Sequence, residues 1–228
     1  MSKVVVLLSG GMDSTTLAAM TQAMGHEVHA INFYYGQKHH VELECAQQVA
    51  GYLGLASYDL INIDGVFQNS SLLEGGPEID DNQDKASVGA TFVPARNSVL
   101  LSIAAGRADA IGAHEIYYGA HAEDHAGYPD CRPEYYEAIS KALSLGTVNA
   151  VRVVAPFILY DKSHIVQTAW KYRAPLHLTH SCYRGERPQC GTCPTCQLRI
   201  EAFKKAGFID PVPYATDVDW TGCRAYEI

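Results

Sequence analysis

Val4-Val5-Val6-Leu7-Leu8-Ser9-Gly10-Gly11-Met12-Asp13-Ser14-Thr15 is the stretch of sequence that decides the fold. Its first five residues are apolar without interruption, the pattern of a strand covered on both faces, as in a parallel sheet between helices. A Ser-Gly-Gly turn follows, and Leu17, Met20, Ala23 and Met24 then recur at helical spacing up to a C-cap candidate, Gly25. Such a strand–turn–helix junction suits an anion. Glycines adopt positive φ and let the backbone come close, and a helix N-terminus presents unpaired N–H groups with a favourable dipole. On this reading Ser9, Gly10, Gly11, Met12, Asp13, Ser14 and Thr15 surround a phosphate group. The hydroxyls donate to its oxygens, and Asp13 holds a magnesium ion. A plain βα turn with Ser and Asp as helix caps is the competing explanation. The Gly-Lys-Ser/Thr ending of a Walker loop and the Gly-x-Gly-x-x-Gly pattern of a dinucleotide loop are both missing.

Outward from this junction, strands and helices alternate. Strands are expected at residues 28–33, 58–63, 116–118 and 151–155. Helices are expected at residues 41–53, 98–111 and 133–144 and from 161 to about 172, with Gly54 and Pro133 marking an end and a start. The pattern predicts a doubly wound α/β domain, Rossmann-like, with a parallel sheet and ligands at the carboxyl ends of its strands. We divide the chain into residues 1–178, the α/β domain, and residues 179–228, a small C-terminal lobe with one helix and an irregular tail. Residues 64–91 hold Gly65, Gly75, Gly76 and Pro77 and an acidic run, and read as a lid-like loop.

Charge and composition narrow the function. Seventeen Lys and Arg against 25 Asp and Glu leave a net charge of −8. A domain this acidic repels polyanions, so no nucleic-acid partner is expected. Arg184, Arg187, Arg199, Lys204 and Lys205 form a modest basic group that reads as a solvated face. The first residues are too short for a signal peptide and no stretch suits a bilayer span, so a soluble cytoplasmic protein without membrane contact is the expectation.

Seven cysteines are present, four of them as Cys182, Cys190, Cys193 and Cys196 in a C-x7-C-x2-C-x2-C pattern. Four thiolates at this spacing make a closed structural zinc site, one per chain. An iron–sulfur cluster is the alternative, because C-x2-C-x2-C also occurs in ferredoxin-type runs. Cys45 falls on the apolar stripe of its helix and reads as core. Cys131 reads as a weak nucleophile candidate, and His39 and His121 as candidate proton carriers.

The Ser-Gly-Gly-Met-Asp-Ser loop resembles that of the N-type ATP pyrophosphatases. Tyr35-Gly36-Gln37-Lys38-His39, Phe92-Val93-Pro94-Ala95-Arg96-Asn97, Gly127-Tyr128-Pro129-Asp130-Cys131-Arg132 and Ser181-Cys182-Tyr183 all resemble the 7-cyano-7-deazaguanine synthase family of queuosine biosynthesis. The likeness runs from the glycine loop to the last cysteine helix. It implies a fold of the adenine nucleotide α-hydrolase type and an ATP-dependent ligase. That enzyme converts 7-carboxy-7-deazaguanine and ammonia to the nitrile through adenylated carboxylate and amide, releasing AMP and pyrophosphate. It also implies a homodimer. Lys162 is then a candidate for contacting the phosphates, or a surface lysine. Arg96 is a candidate for holding a phosphate or the substrate carboxylate, or a structural ion pair. Asp124, Tyr128, Asp130 and Arg132, in one polar loop after a strand, are placed to read the base. Tyr35, Gln37 and Asn97 come from the matching motifs as substrate contacts. Two rivals remain: a tRNA-thiolating or amide-forming enzyme with the same loop, and a zinc-ribbon binding module on a nucleotide-sensing domain.

Overall fold

The opening apolar run becomes β1 (Lys3–Leu7), the middle strand of a five-stranded sheet in a computed structural model that describes residues 1–78, 89–124 and 127–227. Val4 and Val6 point into one core and Val5 into another, which is why no residue of the run is polar. β2 (Glu27–Tyr34) and β3 (Ser57–Asn62) extend the sheet on one side of β1. β4 (Glu115–Tyr117) and β5 (Arg152–Val154) extend it on the other. The order is β3-β2-β1-β4-β5, and every pairing is parallel. This is the doubly wound architecture that alternating strands and helices predict.

Helices cover both faces. α1 (Met12–Ala23) and α2 (Val41–Leu53) pack Leu17, Ala18, Ala46 and Val49 against Val4 and Val6. α3 (Arg96–Ala110) packs Leu101, Ala104 and Ala108 on the opposite face, where α4 (Pro133–Gly146) adds Ile139 and Leu143. α5 (Lys162–Lys171) is capped by Asp161, whose Oδ1 accepts from His164 N at 3.0 Å. The strand order reverses between β1 and β4. A crevice therefore opens outside their carboxyl ends, and the residues after β1 and β4 form its floor.

The C-terminal segment docks onto this layer. α6 (Pro194–Ala206) packs on α1 and α5 through Phe203 and Ala202. Arg199 is not on a solvated basic face as composition suggested. It is 1% exposed, and its guanidinium grips Asp210 at 2.6 and 3.0 Å. A charge buried this deeply requires such a partner. The tail is not irregular either. β6 (Phe208–Ile209) pairs in parallel with β7 (Arg224–Ala225), Tyr226 donates to Ala174 O at 2.9 Å, and the Arg224 guanidinium lies over Trp170 and Phe208. Scattered aromatic residues carry no periodic signal in sequence, so this clasp was invisible there.

Of the expected lid, residues 64–78 and 89–91 are described and residues 79–88 lie outside the described residues. The described part is stitched to the loop after β2. Lys38 N donates to Leu72 O and Glu74 N to Gly36 O, at 2.8–2.9 Å, and within the segment Ser71 N donates to Ala90 O at 2.8 Å. Leu72, Gly89 and Thr91 line the crevice.

Candidate active site

The crevice is a cavity of about 800 Å³, at the upper end of the range for small-molecule sites. Its floor is the Ser-Gly-Gly turn. Ser9 N donates to Ser14 Oγ at 3.1 Å, the two hydroxyls meet at 3.0 Å, and Gly11 N donates to Ser9 Oγ at 3.3 Å. The turn is thus curled by its own serines, with Gly11, Asp13 and Ser14 on the cavity wall. The two glycines do different jobs. Gly10 has φ +89°, and a Cβ there would stand 2.2 Å from Glu42 O on α2. Gly10 therefore lets the turn lie against α2, and Gly11 faces the cavity.

Asp13 sits in the first turn of α1 and bonds Lys162, the first residue of α5, through Nζ–Oδ2 at 3.0 Å. His121, which follows β4, places Nε2 at 3.6 Å from the same oxygen and 3.1 Å from Asp124 Oδ2. Burial works to raise the Asp13 carboxyl, but Lys162 and His121 hold it well below the usual carboxylate range. Burial also opposes the Lys162 charge, and Asp13 and Asp124 more than offset it, so the ammonium stays protonated. Three buried atoms of cavity-lining residues have no hydrogen-bond partner among the described residues: Asp13 Oδ1, His121 Nδ1 and His180 Nε2. Unpaired buried polar atoms at a helix N-terminus suit a bound ligand or ion. A hard cation with oxygen ligands, such as magnesium carried by phosphates, fits the free Oδ1.

The opposite wall is aromatic and cationic. Arg96 opens α3 and donates to the Tyr35 hydroxyl at 3.3 Å, with its guanidinium 5.8 Å from the Tyr35 ring centre. Tyr128 meets Thr91 Oγ1 at 2.9 Å, and Tyr183 stands nearby on the same wall. Burial opposes the Arg96 charge, but Tyr35, Tyr183 and Asp130 around it keep it firmly protonated. Glu42, in the first turn of α2, also lines this wall. Burial pushes its carboxyl up to about 7, with Arg96 pulling the other way.

Several expected positions behave differently. Tyr35, Gln37, Asn97, Asp124 and Tyr128 line the cavity. Gln37 nevertheless uses its side chain to brace its own loop, accepting from Tyr35 N and donating to Phe33 O. Asn97 donates to the Tyr118 hydroxyl at 2.8 Å and to Asp130 O at 3.2 Å. Gly10, Thr15, Asp130 and Arg132 are not among the lining residues. Thr15 is fully buried inside α1, because one turn of helix rotates it away from the loop. The Asp130 carboxylate faces the start of α3 and accepts from Asn97 N at 3.1 Å, serving that helix as a cap. Arg132 is exposed at the start of α4. Met12 touches the cavity, but its buried side chain belongs to the core between α1 and α5. Cys131 touches the cavity beside Tyr118 and Asn97, and burial pushes its thiol up to about 12, which keeps it mostly protonated near neutral pH. Sequence reading missed Glu42, His180, Tyr183 and Arg199, which all line the cavity. Glu42 looked like an ordinary acidic residue at a helix start, and the others lay among cysteines that drew the reading to metal.

Cys182, Cys190, Cys193 and Cys196 bring four buried Sγ atoms within 4.8 Å of one another. Cys190 and Cys196 are 3.8 Å apart. A tetrahedral ion with metal–sulfur bonds of about 2.3 Å separates its sulfurs by about 3.8 Å. The cluster fits a single metal ion and leaves little room for several irons. The Cys193 amide donates to Cys190 Sγ at 3.3 Å, outer bonding of the kind that orients thiolate ligands. The cluster also shapes the cavity. Cys182 and Ser181 line it, and His180 N donates to Gly10 O at 3.1 Å.

Over most of its length the chain is similar to known proteins. The model of a family described as queuosine biosynthesis protein QueC matches residues 3–207. A 7-cyano-7-deazaguanine synthase of Acetivibrio thermocellus is 42% identical over 219 residues, 94% of this chain and 98% of that one. One from Desulfitobacterium hafniense is 41% identical over 224 residues, 96% of each chain. One from Oceanobacillus iheyensis is 42% identical over 216 residues, 93% of this chain and 98% of that one.

Proposed function

The chain belongs to the QueC family of queuosine biosynthesis proteins, and from that premise we propose that it is an ATP-dependent 7-cyano-7-deazaguanine synthase. The observation that carries the proposal is one cavity with a phosphate-type floor at Gly11, Asp13, Ser14 and Lys162 and an Arg96–aromatic wall opposite. The floor suits the phosphates of ATP, and the wall suits a flat, hydrogen-bonding base with a carboxylate.

A carboxylate is a poor electrophile. Its oxygen attacks the α-phosphorus of ATP, and pyrophosphate leaves. Ammonia then displaces AMP to give the amide. The amide oxygen attacks a second ATP in the same way, and loss of AMP with the remaining N–H protons leaves the nitrile. Ser9, Gly11 and Ser14 exchange the hydrogen bonds they make to one another for bonds to the departing pyrophosphate, and the fixed Lys162 ammonium offsets the charge that develops on it. Arg96 orients the substrate carboxylate. Tyr35, Asn97, Asp124 and Tyr128 form the base site. Gln37 and Asp130 hold its loops in shape. Bound magnesium would supply charge neutralisation at the phosphates, and Asp13 is the residue that would hold it. We assign the four-thiolate cluster to a structural zinc ion.

The partners are small molecules. The acidic surface opposes tRNA binding, and salt-dependent tRNA association would revive the thiolating alternative. Among the described residues no helix is long and apolar enough to cross a membrane. The deciding experiment incubates the metallated protein with ATP, magnesium, ammonium and 7-carboxy-7-deazaguanine and reads the products by mass spectrometry. Nitrile with AMP and pyrophosphate is expected. ADP and phosphate would overturn adenylation, and no turnover would overturn the substrate.

A further inference from the structure

Ammonia brings three N–H protons to this reaction and the nitrile keeps none. Each must be taken up beside the reacting carbon, one at the amide step and two at the nitrile step. The cavity therefore needs a group that accepts a proton and releases it again near neutral pH.

Most candidates are already engaged. Asp13 is tied to Lys162, and Asp124 to His121. Cys131 and Tyr118 line the cavity but bond each other. Asp130 caps α3 and does not line the cavity. Glu42 differs from all of these. Glu42 lines the cavity, its carboxyl makes no hydrogen bond to another described residue, and Arg96 is its charged neighbour. Its position is tied to the phosphate floor, because its own carbonyl oxygen is the atom that the Gly10 turn lies against.

We propose, resting on the synthase reading above, that Glu42 is the proton acceptor of the ammonia steps. In the first step the ammonia nitrogen adds to the acyl-adenylate carbon while the C=O electrons move to oxygen. Glu42 takes one proton from that nitrogen. The carbonyl then re-forms and the C–O bond to AMP breaks, with the electron pair leaving on the phosphate. The product is amide plus AMP plus a protonated Glu42, which returns its proton to solvent before the second adenylation. In the second half the same carboxylate takes one amide N–H proton as the amide oxygen attacks ATP, releases it to solvent, and takes the second as the C≡N bond forms and AMP departs.

The groups around Glu42 suit that cycle. Arg96 faces it from α3, and Cys45 lies one turn on along α2. Tyr35 and His39 line the cavity from the loop after β2, and Tyr183 and Cys182 from the C-terminal segment. With its carboxyl raised to about 7, Glu42 both accepts and releases a proton near neutral pH, whereas a carboxylate at its ordinary value holds a proton too weakly.

The test separates the two halves of the reaction in Glu42→Gln and Glu42→Asp. Pyrophosphate release on mixing with ATP and the acid, without ammonia, reports adenylation. Amide and nitrile formation after ammonium is added report the proton-coupled steps. Glu42→Gln is expected to keep the pyrophosphate burst, which also shows that it is folded. It should lose roughly 10²–10⁴-fold in amide and nitrile formation, together with the rise in rate through neutral pH. Glu42→Asp should recover part of the rate. The proposal is overturned if Glu42→Gln makes nitrile at the parent rate. It is equally overturned if only the KM for the base rises, which would make Glu42 a recognition residue, or if both halves fall together. Failure of the parent protein to make nitrile at all counts against the synthase reading instead, so the two failures are distinguishable.

Discussion

Two short motifs, residues 9–14 and residues 182–196, meet at one wall of the cavity and treat their polar atoms in opposite ways. The four thiols turn inward on a common point and are all buried. The phosphate turn bonds its Ser9 and Gly11 amides to its own serine hydroxyls, but Asp13 Oδ1 and, beside it, His121 Nδ1 remain without hydrogen-bond partners among the described residues. A closed set of ligands serves folding, because the ion and the chain are satisfied together. An open set serves turnover, because the atoms it leaves unpaired are satisfied only while a ligand is present. The hydrogen bond from His180 N to Gly10 O joins the two, so the rigid cluster helps hold the open turn in place.

The comparison breaks if the cluster is not structural. Removing the ion with a strong chelator, or making Cys193→Ser, should give the largest effect of any change discussed. Apparent binding energies of structural zinc are about 10–16 kcal/mol, and most of that is folding energy. Thermal unfolding, proteolysis of the C-terminal segment and metal analysis read this directly. Unchanged Tm with no zinc, or an iron-coloured protein, would end the structural-zinc assignment.

At the open site, Asp13→Ala should remove ATP turnover by more than about 10³-fold, beyond the usual effect of one missing electrostatic group. Its Tm should move far less than that of Cys193→Ser. Turnover that survives the substitution would mean that the turn is only a helix cap. Gly10→Ala should act between the two regions. Its φ of +89° disfavours any side chain, and the added Cβ meets backbone at 2.2 Å. A loss of at least about 1–3 kcal/mol follows from the backbone strain alone, and denaturant unfolding measures it. A neutral result would show that α2 yields easily.

The smallest effect is a pH dependence of stability without ligands. Glu42 has its carboxyl raised from 4.5 to about 7 in the fold, so folding favours the protonated form. Its contribution is complete below the unfolded value of 4.5 and is lost as pH rises through about 7. Glu42→Gln should therefore raise Tm relative to the parent at about pH 8 and leave it unchanged at about pH 4. Equal melting curves at both pH values would place Glu42 in an ordinary, solvated setting.

What the sequence determined by itself is what neighbouring residues decide. The unbroken apolar run 4–8, the Ser-Gly-Gly turn, the helix caps at Gly54 and Asp161 and the cysteine spacing are local patterns, legible without knowing what packs against them. The parallel sheet follows from their alternation. Tertiary structure decided which side chains meet. Lys162 reaches Asp13 across 149 residues of chain, and no periodicity carries that information. Packing likewise turned Arg199 from an apparent surface charge into a buried clamp. It sent Asp130 to cap α3 instead of facing a ligand, and it left Glu42 as a carboxyl on the cavity wall without a hydrogen-bond partner among the described residues. The physical reason is common to all three. The cost of burying a charge is set by partners that only the folded chain brings within reach.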